Sequence, residues 1–162
     1  MKVSKLILAT AIIVAACLLG CSTTPSVNGR YSYDRSTDFS KLKSFRVDVR
    51  EGDFSTPESG AHFREVMTRA LSEKGLTEDP ENPDFLVVVP PVENYVEEYW
   101  YAGNIQLPMG LVRTNFVPTS GGRNLYEAVA NSFFEPDMTQ EHKNSILDET
   151  VRVILMEFPP GK

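Results

Sequence analysis

Cysteine, histidine and positive charge are all in short supply in this chain. Its two cysteines, Cys17 and Cys21, both lie near the N-terminus, so the long remainder has no thiol to form a disulfide, ligate a metal or attack a substrate. Its two histidines, His62 and His142, have no second metal-type ligand at useful spacing. That leaves no basis for a metal or other cofactor site, and none for a histidine acid–base centre. No Gly-x-Ser-x-Gly elbow occurs, and Ser120-Gly121-Gly122 lacks the pattern that cradles a phosphate. Basic residues number 16 against 22 acidic ones, a net charge of −6. Such a surface repels phosphate backbones, so nucleic acid is not an expected partner. The apolar run from Leu6 to Leu19 has 14 residues, well short of the ~20 that a membrane-spanning helix needs.

What is present begins with that run. Lys2 and Lys5 precede it as a short basic region, and Leu18-Leu19-Gly20-Cys21 closes it. The length is that of a signal-peptide core. An ordinary secretory leader would end in an A-x-A-type site, and none follows. A small residue before a cysteine here resembles the lipobox of bacterial lipoproteins. The resemblance implies cleavage between Gly20 and Cys21 and acylation of the Cys21 sulfur. One acyl chain holds a protein only reversibly, at ~0.8 kcal/mol per buried CH₂, and a second makes the anchor stable. Ser22, where an aspartate would favour inner-membrane retention, implies the outer membrane, with its periplasmic face as the expected side. Cleavage leaves 142 residues, one domain's worth, and discards Lys2 and Lys5, so the net charge moves from −6 to −8. Three segments follow: a signal peptide over 1–20, a lipidated flexible tether over 21–29, and one domain over 30–162.

Within that domain, Tyr31–Asp34 and Phe45–Val49 alternate apolar and polar residues and read as a first pair of strands. Thr56-Pro57 starts a helix with a threonine cap and proline at its first position. Phe63, Val66, Met67, Ala70 and Leu71 share its apolar face, and Gly75 ends it. Phe85–Val89 is a continuous β-branched run suited to a central strand buried on both faces. Further strands are expected at Asn94–Tyr101, Leu111–Val117 and Leu125–Phe133, with a turn at Thr119–Gly122. Thr139 caps a last helix whose face carries Ile146, Leu147, Thr150, Val151, Ile154 and Leu155 before Phe158-Pro159-Pro160 stops it. The order β-β-α-β-β-β-β-α predicts a single α+β domain, two amphipathic helices on one face of a largely antiparallel sheet.

Tyr31–Asp34 followed by Asp38-Phe39-Ser40 and Lys43-Ser44-Phe45 resembles the opening of domain of unknown function 4136, found in bacterial envelope lipoproteins. The Ala70-Leu71 to Lys74-Gly75 helix end, the Pro83–Val87 strand start and the closing helix running into Phe158-Pro159-Pro160 match as well. The family's middle strands correspond here to Gly103-Asn104-Ile105 and Leu125–Ala128, where the pattern departs. The resemblance implies a fold and a location and supplies no catalytic residues.

Glu93, Glu97 and Glu98 crowd one segment, but on a strand Glu97 and Glu98 point to opposite faces and make a poor acid–base pair. His62 is expected to face solvent beside the Phe63 stripe. Tyr95, Tyr99 and Tyr101 share one strand face while Trp100 looks the other way. Exposed, those rings could stack on glycans or a partner protein. Packed, they would cover a sheet edge with Trp100 under a helix, which is the simpler reading. Asp38-Phe39-Ser40 reads as a turn with an anchoring phenylalanine. The expected protein is thus a non-enzymatic interaction or structural lipoprotein, joined to membrane lipid through Cys21 and to an unknown envelope protein or glycan. A module binding a small apolar or glycan ligand is the alternative. A hydrolase of envelope polymers would need two converging titratable groups, and none is nominated.

Overall fold

The computed structural model describes residues 27–50, 53–54, 56–90, 100–102, 105–107, 109–133 and 138–159. In chain order these form β1 (Asn28–Tyr33), a 3₁₀ turn (Phe39–Lys41), β2 (Ser44–Asp48), α1 (Pro57–Glu73), β3 (Thr77–Glu78) and β4 (Phe85–Val88). There follow β5 (Trp100–Ala102), β6 (Ile105–Leu107), β7 (Met109–Pro118), β8 (Tyr126–Phe133) and α2 (Gln140–Ile154). None of the described helices is long and apolar enough to cross a membrane.

Six strands make one sheet in the order β1-β8-β7-β4-β2-β3, and β5 and β6 form a separate two-stranded ladder. The β1–β8, β8–β7 and β7–β4 pairs are antiparallel, while β2 runs parallel to both β3 and β4. Parallel neighbours need a crossover, and α1 provides it between β2 and β4. The expected α+β class with a mostly antiparallel sheet therefore holds.

Both helices begin where the sequence places caps. Thr56 Oγ1 accepts from the Ser59 N–H at 3.2 Å, and Thr139 Oγ1 accepts from the His142 N–H at 3.3 Å. Each satisfies an N–H that the first turn would leave unpaired. Gly75 takes φ 88° just past α1, a conformation that a Cβ would penalise.

One face of the sheet and the facing stripes of the two helices make the core. Alternate residues Phe45 and Val47, Phe85 and Val87, Val112 and Phe116, and Tyr126, Ala128 and Ala130 point into it. Phe63, Met67 and Leu71 of α1, with Leu147, Val151 and Ile154 of α2, close it from above. Each large side chain removed from water contributes roughly 1.5–3 kcal/mol against the entropy of ordering the chain.

Two expectations need correction. Tyr31–Asp34 and Phe45–Val49 do form strands, but they are not a pair: β1 lies at one edge of the sheet and β2 at the fifth position. The link between them crosses the end of the sheet, anchored by Phe39, whose ring packs edge-on against Tyr33 and Phe158. Phe85–Val89 is central but not buried on both faces, because Leu86 and Val88 on the side away from the helices are only half-buried. Continuity of β-branched residues marks a central position; it does not by itself require two covering layers.

Candidate functional site

Glu93, Glu97, Glu98, Tyr95 and Tyr99 lie outside the described residues, as does Cys21 with the rest of residues 1–26. Tyr101 belongs to β5, opposite Gln106 of β6. The aromatic face expected from Tyr95, Tyr99 and Tyr101 therefore has no described geometry, and the candidate surface lies elsewhere.

It lies along β1. Among the described residues this strand pairs with β8 alone, and all of its residues are exposed. Tyr31 and Tyr33, 49% and 41% exposed, sit on the helix side of the sheet. There the Tyr31 ring stacks on Tyr126 at 6.0 Å. Just past the end of β1, an open cleft of about 320 Å³ is lined by Ser32, Tyr33, Asp34, Arg35, Arg123, Asn124 and Glu127. The turn that joins β7 to β8 contributes Arg123 and Asn124, and it bends at Gly121 and Gly122, with φ of 82° and 117°.

The cleft's charges are held in place. Asp34 Oδ1 accepts from the Ser36 hydroxyl at 2.7 Å and the Ser36 N–H at 2.8 Å. The hydroxyl first and the N–H second hold its carboxyl below the usual aspartate value, with a smaller contribution from the Arg123 charge. Glu127 Oε1 lies 3.6 Å from Arg113 Nε on the neighbouring strand. A carboxylate stabilised in its ionised form is a good hydrogen-bond acceptor and a poor proton donor. The cleft is thus equipped to accept hydrogen bonds through Asp34 and Glu127 and to donate them through Arg35, Arg123 and Asn124.

A smaller cavity of about 70 Å³ between Phe39, Leu42, Lys43, Lys74, Leu76 and Phe158 falls well below the roughly 300 Å³ of small-molecule sites. Among the described residues no three His, Cys, Asp or Glu side chains come together to hold a metal. The hydroxyls of Thr114, Ser132 and Thr150 are buried with no hydrogen-bond partner among the described residues. Register separates the two on the sheet: Thr114 faces Ala128 and Ser132 faces Gly110, four positions apart along β8. They form no common site.

His62 corrects an expectation. Instead of facing solvent, it is half-buried, and its Nε2 lies 2.7 Å from Asp148 Oδ1, tying α1 to α2. Asp38-Phe39-Ser40 is a turn with an anchoring phenylalanine, as read: the Asp38 carboxylate accepts from Ser40, and Phe39 packs inward.

Sequence reasoning missed the exposed strip at Tyr31 and Tyr33 and the arginines at its end. The alternation of Tyr31 and Tyr33 was visible, but nothing local says that their strand lies at an edge. Arg35 and Arg123 are far apart in sequence and meet only through the β1–β8 register.

Comparisons with known proteins agree with this architecture. A DUF4136 family protein from Bacteroides thetaiotaomicron is similar over 82% of this chain and 96% of its own, with 13% identity and a TM-score of 0.57. A PelC dodecamer from Paraburkholderia phytofirmans is similar over 80% of this chain and 95% of its own, with 15% identity and a TM-score of 0.52. A PDZ domain protein from Parabacteroides distasonis reaches a TM-score of 0.60 at 18% identity, covering 91% of this chain and 40% of that one. At these identities the likeness is one of fold. No curated protein matches the chain. The model of the family described as domain of unknown function (DUF4136) matches residues 30–160, and the chain belongs to that family.

Proposed function

We propose that this protein is a lipid-anchored, non-enzymatic interaction module of the bacterial cell envelope, held at the periplasmic face of the outer membrane. The observation that carries the reading is Leu18-Leu19-Gly20-Cys21 at the end of a 14-residue apolar run, just ahead of a domain whose first strand begins at Asn28. A doubly acylated Cys21 would hold the domain at the bilayer permanently, with residues 22–27 as its leash. The −8 charge of the mature chain keeps the domain off anionic headgroups, so the lipid alone makes the attachment. PelC is a dodecamer, which supports looking for a partner among copies of the chain itself.

The test is Cys21→Ser. The wild-type protein should be recovered from membranes with an acylated N-terminal Cys21, and the variant should stay at precursor mass without lipid label. Unchanged mass and membrane association in the variant would sink the reading.

The cleft gives a second reading some footing. Tyr33 offers a flat amphipathic ring, and Asn124, Arg35 and Arg123 offer donors, a combination suited to a glycan. Titration with soluble peptidoglycan fragments should show binding that Tyr33→Ala and Arg123→Ala both weaken. No binding by the wild-type domain at millimolar fragment would discard this reading.

A further inference from the structure

The two edges of the main sheet are treated differently. At one, β3 is only two residues long, and shortness is a common way to blunt an edge. At the other, β1 runs six residues in regular register with β8. It has no proline, no lysine and no bulge, the devices that usually block strand addition.

The direction of its free backbone groups follows from one bond. The Asp34 N–H donates to the Leu125 carbonyl at 3.0 Å, and Asp34 and Leu125 continue the register in which Tyr33 faces Tyr126. In an antiparallel ladder, bonded and non-bonded pairs alternate. Ser32, Arg30 and Asn28 therefore bond to β8, while Gly29, Tyr31 and Tyr33 turn their N–H and C=O groups to the side that no strand among the described residues occupies.

We propose that this edge pairs with itself: two copies of the chain join β1 to β1, antiparallel, about a two-fold axis at Tyr31. The proposal deepens the reading of an interaction module by naming its surface and partner, and it rests on that reading only for the membrane geometry below. With the axis at Tyr31, every outward N–H and C=O of the strand finds a partner. Moving the axis to Gly29 or Tyr33 pushes part of the pairing off the end of β1.

Side chains suit the same register. Tyr31 meets Tyr31 of the second copy on the helix side, where aromatic cross-strand pairs stabilise sheets. Tyr33 falls opposite glycine at position 29, over which Val153 of α2 sits, so the ring meets an apolar side chain rather than a polar one. On the other face Arg30 meets Ser32, and Asn28 meets Asp34, so no like charges stand directly opposite. The chain as a whole is acidic, but its only charged residues over 28–35 are Arg30, Asp34 and Arg35. Two copies meeting here do not set acid against acid.

The geometry also fits a shared bilayer. Antiparallel pairing separates the two β1 starts by about 20 Å, the length of one strand. Residues 21–27 can span up to about 25 Å when extended, enough for both anchors to reach one membrane surface.

The test uses the full chain, expressed with its leader and oxidised in intact envelopes. One population carries Arg30→Cys and the other Ser32→Cys, residues that the register places face to face. The two should join in a mixed disulfide, identified by mass spectrometry of the linked peptides, and neither should link comparably to Glu65→Cys on α1. Peptide identification separates this outcome from a Cys21–Cys21 link, which would report failed lipidation instead. Tyr31→Lys should reduce the cross-link and any dimer of the purified lipoprotein roughly tenfold or more, because it sets two ammonium groups opposite each other. Losing the Tyr31 ring from Tyr126 should lower its melting temperature by a few degrees but leave it folded at the assay temperature, as a cooperative unfolding transition would verify. If the Arg30→Cys and Ser32→Cys chains, with Tyr31 left in place, form no mixed link, the proposal is overturned. A dimer that Tyr31→Lys leaves intact would overturn it as well.

Discussion

The hydroxyl of Tyr126 donates a 2.8 Å hydrogen bond to the carbonyl of Ile154, joining β8 to the last turn of α2 inside the core. A helix leaves its final carbonyls without intrahelical partners, and burial raises the cost of leaving one unpaired. Tyr126→Phe keeps the ring and removes only that donor. It should destabilise the domain by about 1–2 kcal/mol, read from the midpoint of urea unfolding at constant slope.

The same residue gives the fold an alkaline limit. Burial, and then the nearness of Tyr31 and Glu157, push the Tyr126 phenol above its ordinary 10.0. The folded state therefore favours the protonated form. That contribution is complete below pH 10 or so and is lost as pH rises toward the folded-state value. Wild-type stability should fall across the alkaline range more steeply than that of Tyr126→Phe. Parallel alkaline profiles for the two proteins would contradict this.

Asp84 sets a limit on the acid side. Its Oδ2 accepts from the Lys43 N–H at 2.7 Å and the Ser44 N–H at 2.9 Å, clamping the start of β4 to the start of β2. Those two N–H groups, Lys43 first, hold the carboxyl below its ordinary 3.8. Here the ionised form is favoured, so the contribution is present above that ordinary value and lost as pH falls through the folded-state one. The side chain is exposed, which limits its worth to about 1 kcal/mol. Asp84→Asn should lower stability by about that much at neutral pH and make the protein less sensitive to acid as pH falls below the ordinary aspartate value of 3.8.

Much of this was legible beforehand, because the signals were local. Thr56, Thr139 and Gly75 mark the helix ends, and the stripes from Phe63 to Leu71 and from Ile146 to Leu155 mark the buried faces. The Pro83–Val87 strand start carries Asp84, whose clamp gives that short motif a physical meaning. What stayed hidden depended on residues distant in sequence. Alternation identifies β1 and β2 as strands but contains no term for which strand each will meet, so their separation across the sheet could not be read. The His62–Asp148 contact likewise needs the packing of α1 on α2. The cleft needs Arg35 and Arg123 to be brought together by pairing of β1 with β8.

Phe158, just beyond α2, illustrates how much one residue outside regular structure can hold. Its ring lies 4.7 Å from Phe116, 5.3 Å from Tyr126, 5.9 Å from Phe39 and 6.0 Å from Phe85. It is 3% exposed. Phe158→Ala should cost about 3–5 kcal/mol by emptying the centre of that cluster. Phe39→Ala should cost clearly less, since Phe39 is only half-buried at the cluster's rim. Chemical denaturation of both variants checks the order; equal losses would mean that the rim turn, not the central ring, governs this end of the fold.

Gly29 ties the exposed edge to α2. A Cβ placed there would overlap Val153 Cγ1 and come within 3.4 Å of the Val129 carbonyl. Val153 is β-branched and sits in a helix, where one rotamer dominates, so it cannot simply swing aside. Gly29→Ala should therefore destabilise the domain by about 1–3 kcal/mol, a cost of overpacking. Val153→Ala alone should cost less, because that side chain is only partly buried. Combined, the two substitutions should be strongly non-additive, with the double variant more stable than Gly29→Ala. A double variant that merely summed the two losses would place the strain elsewhere, for instance at the Val129 carbonyl. Recovery would show that β1 is held against α2 through side-chain fit as well as by its bonds to β8.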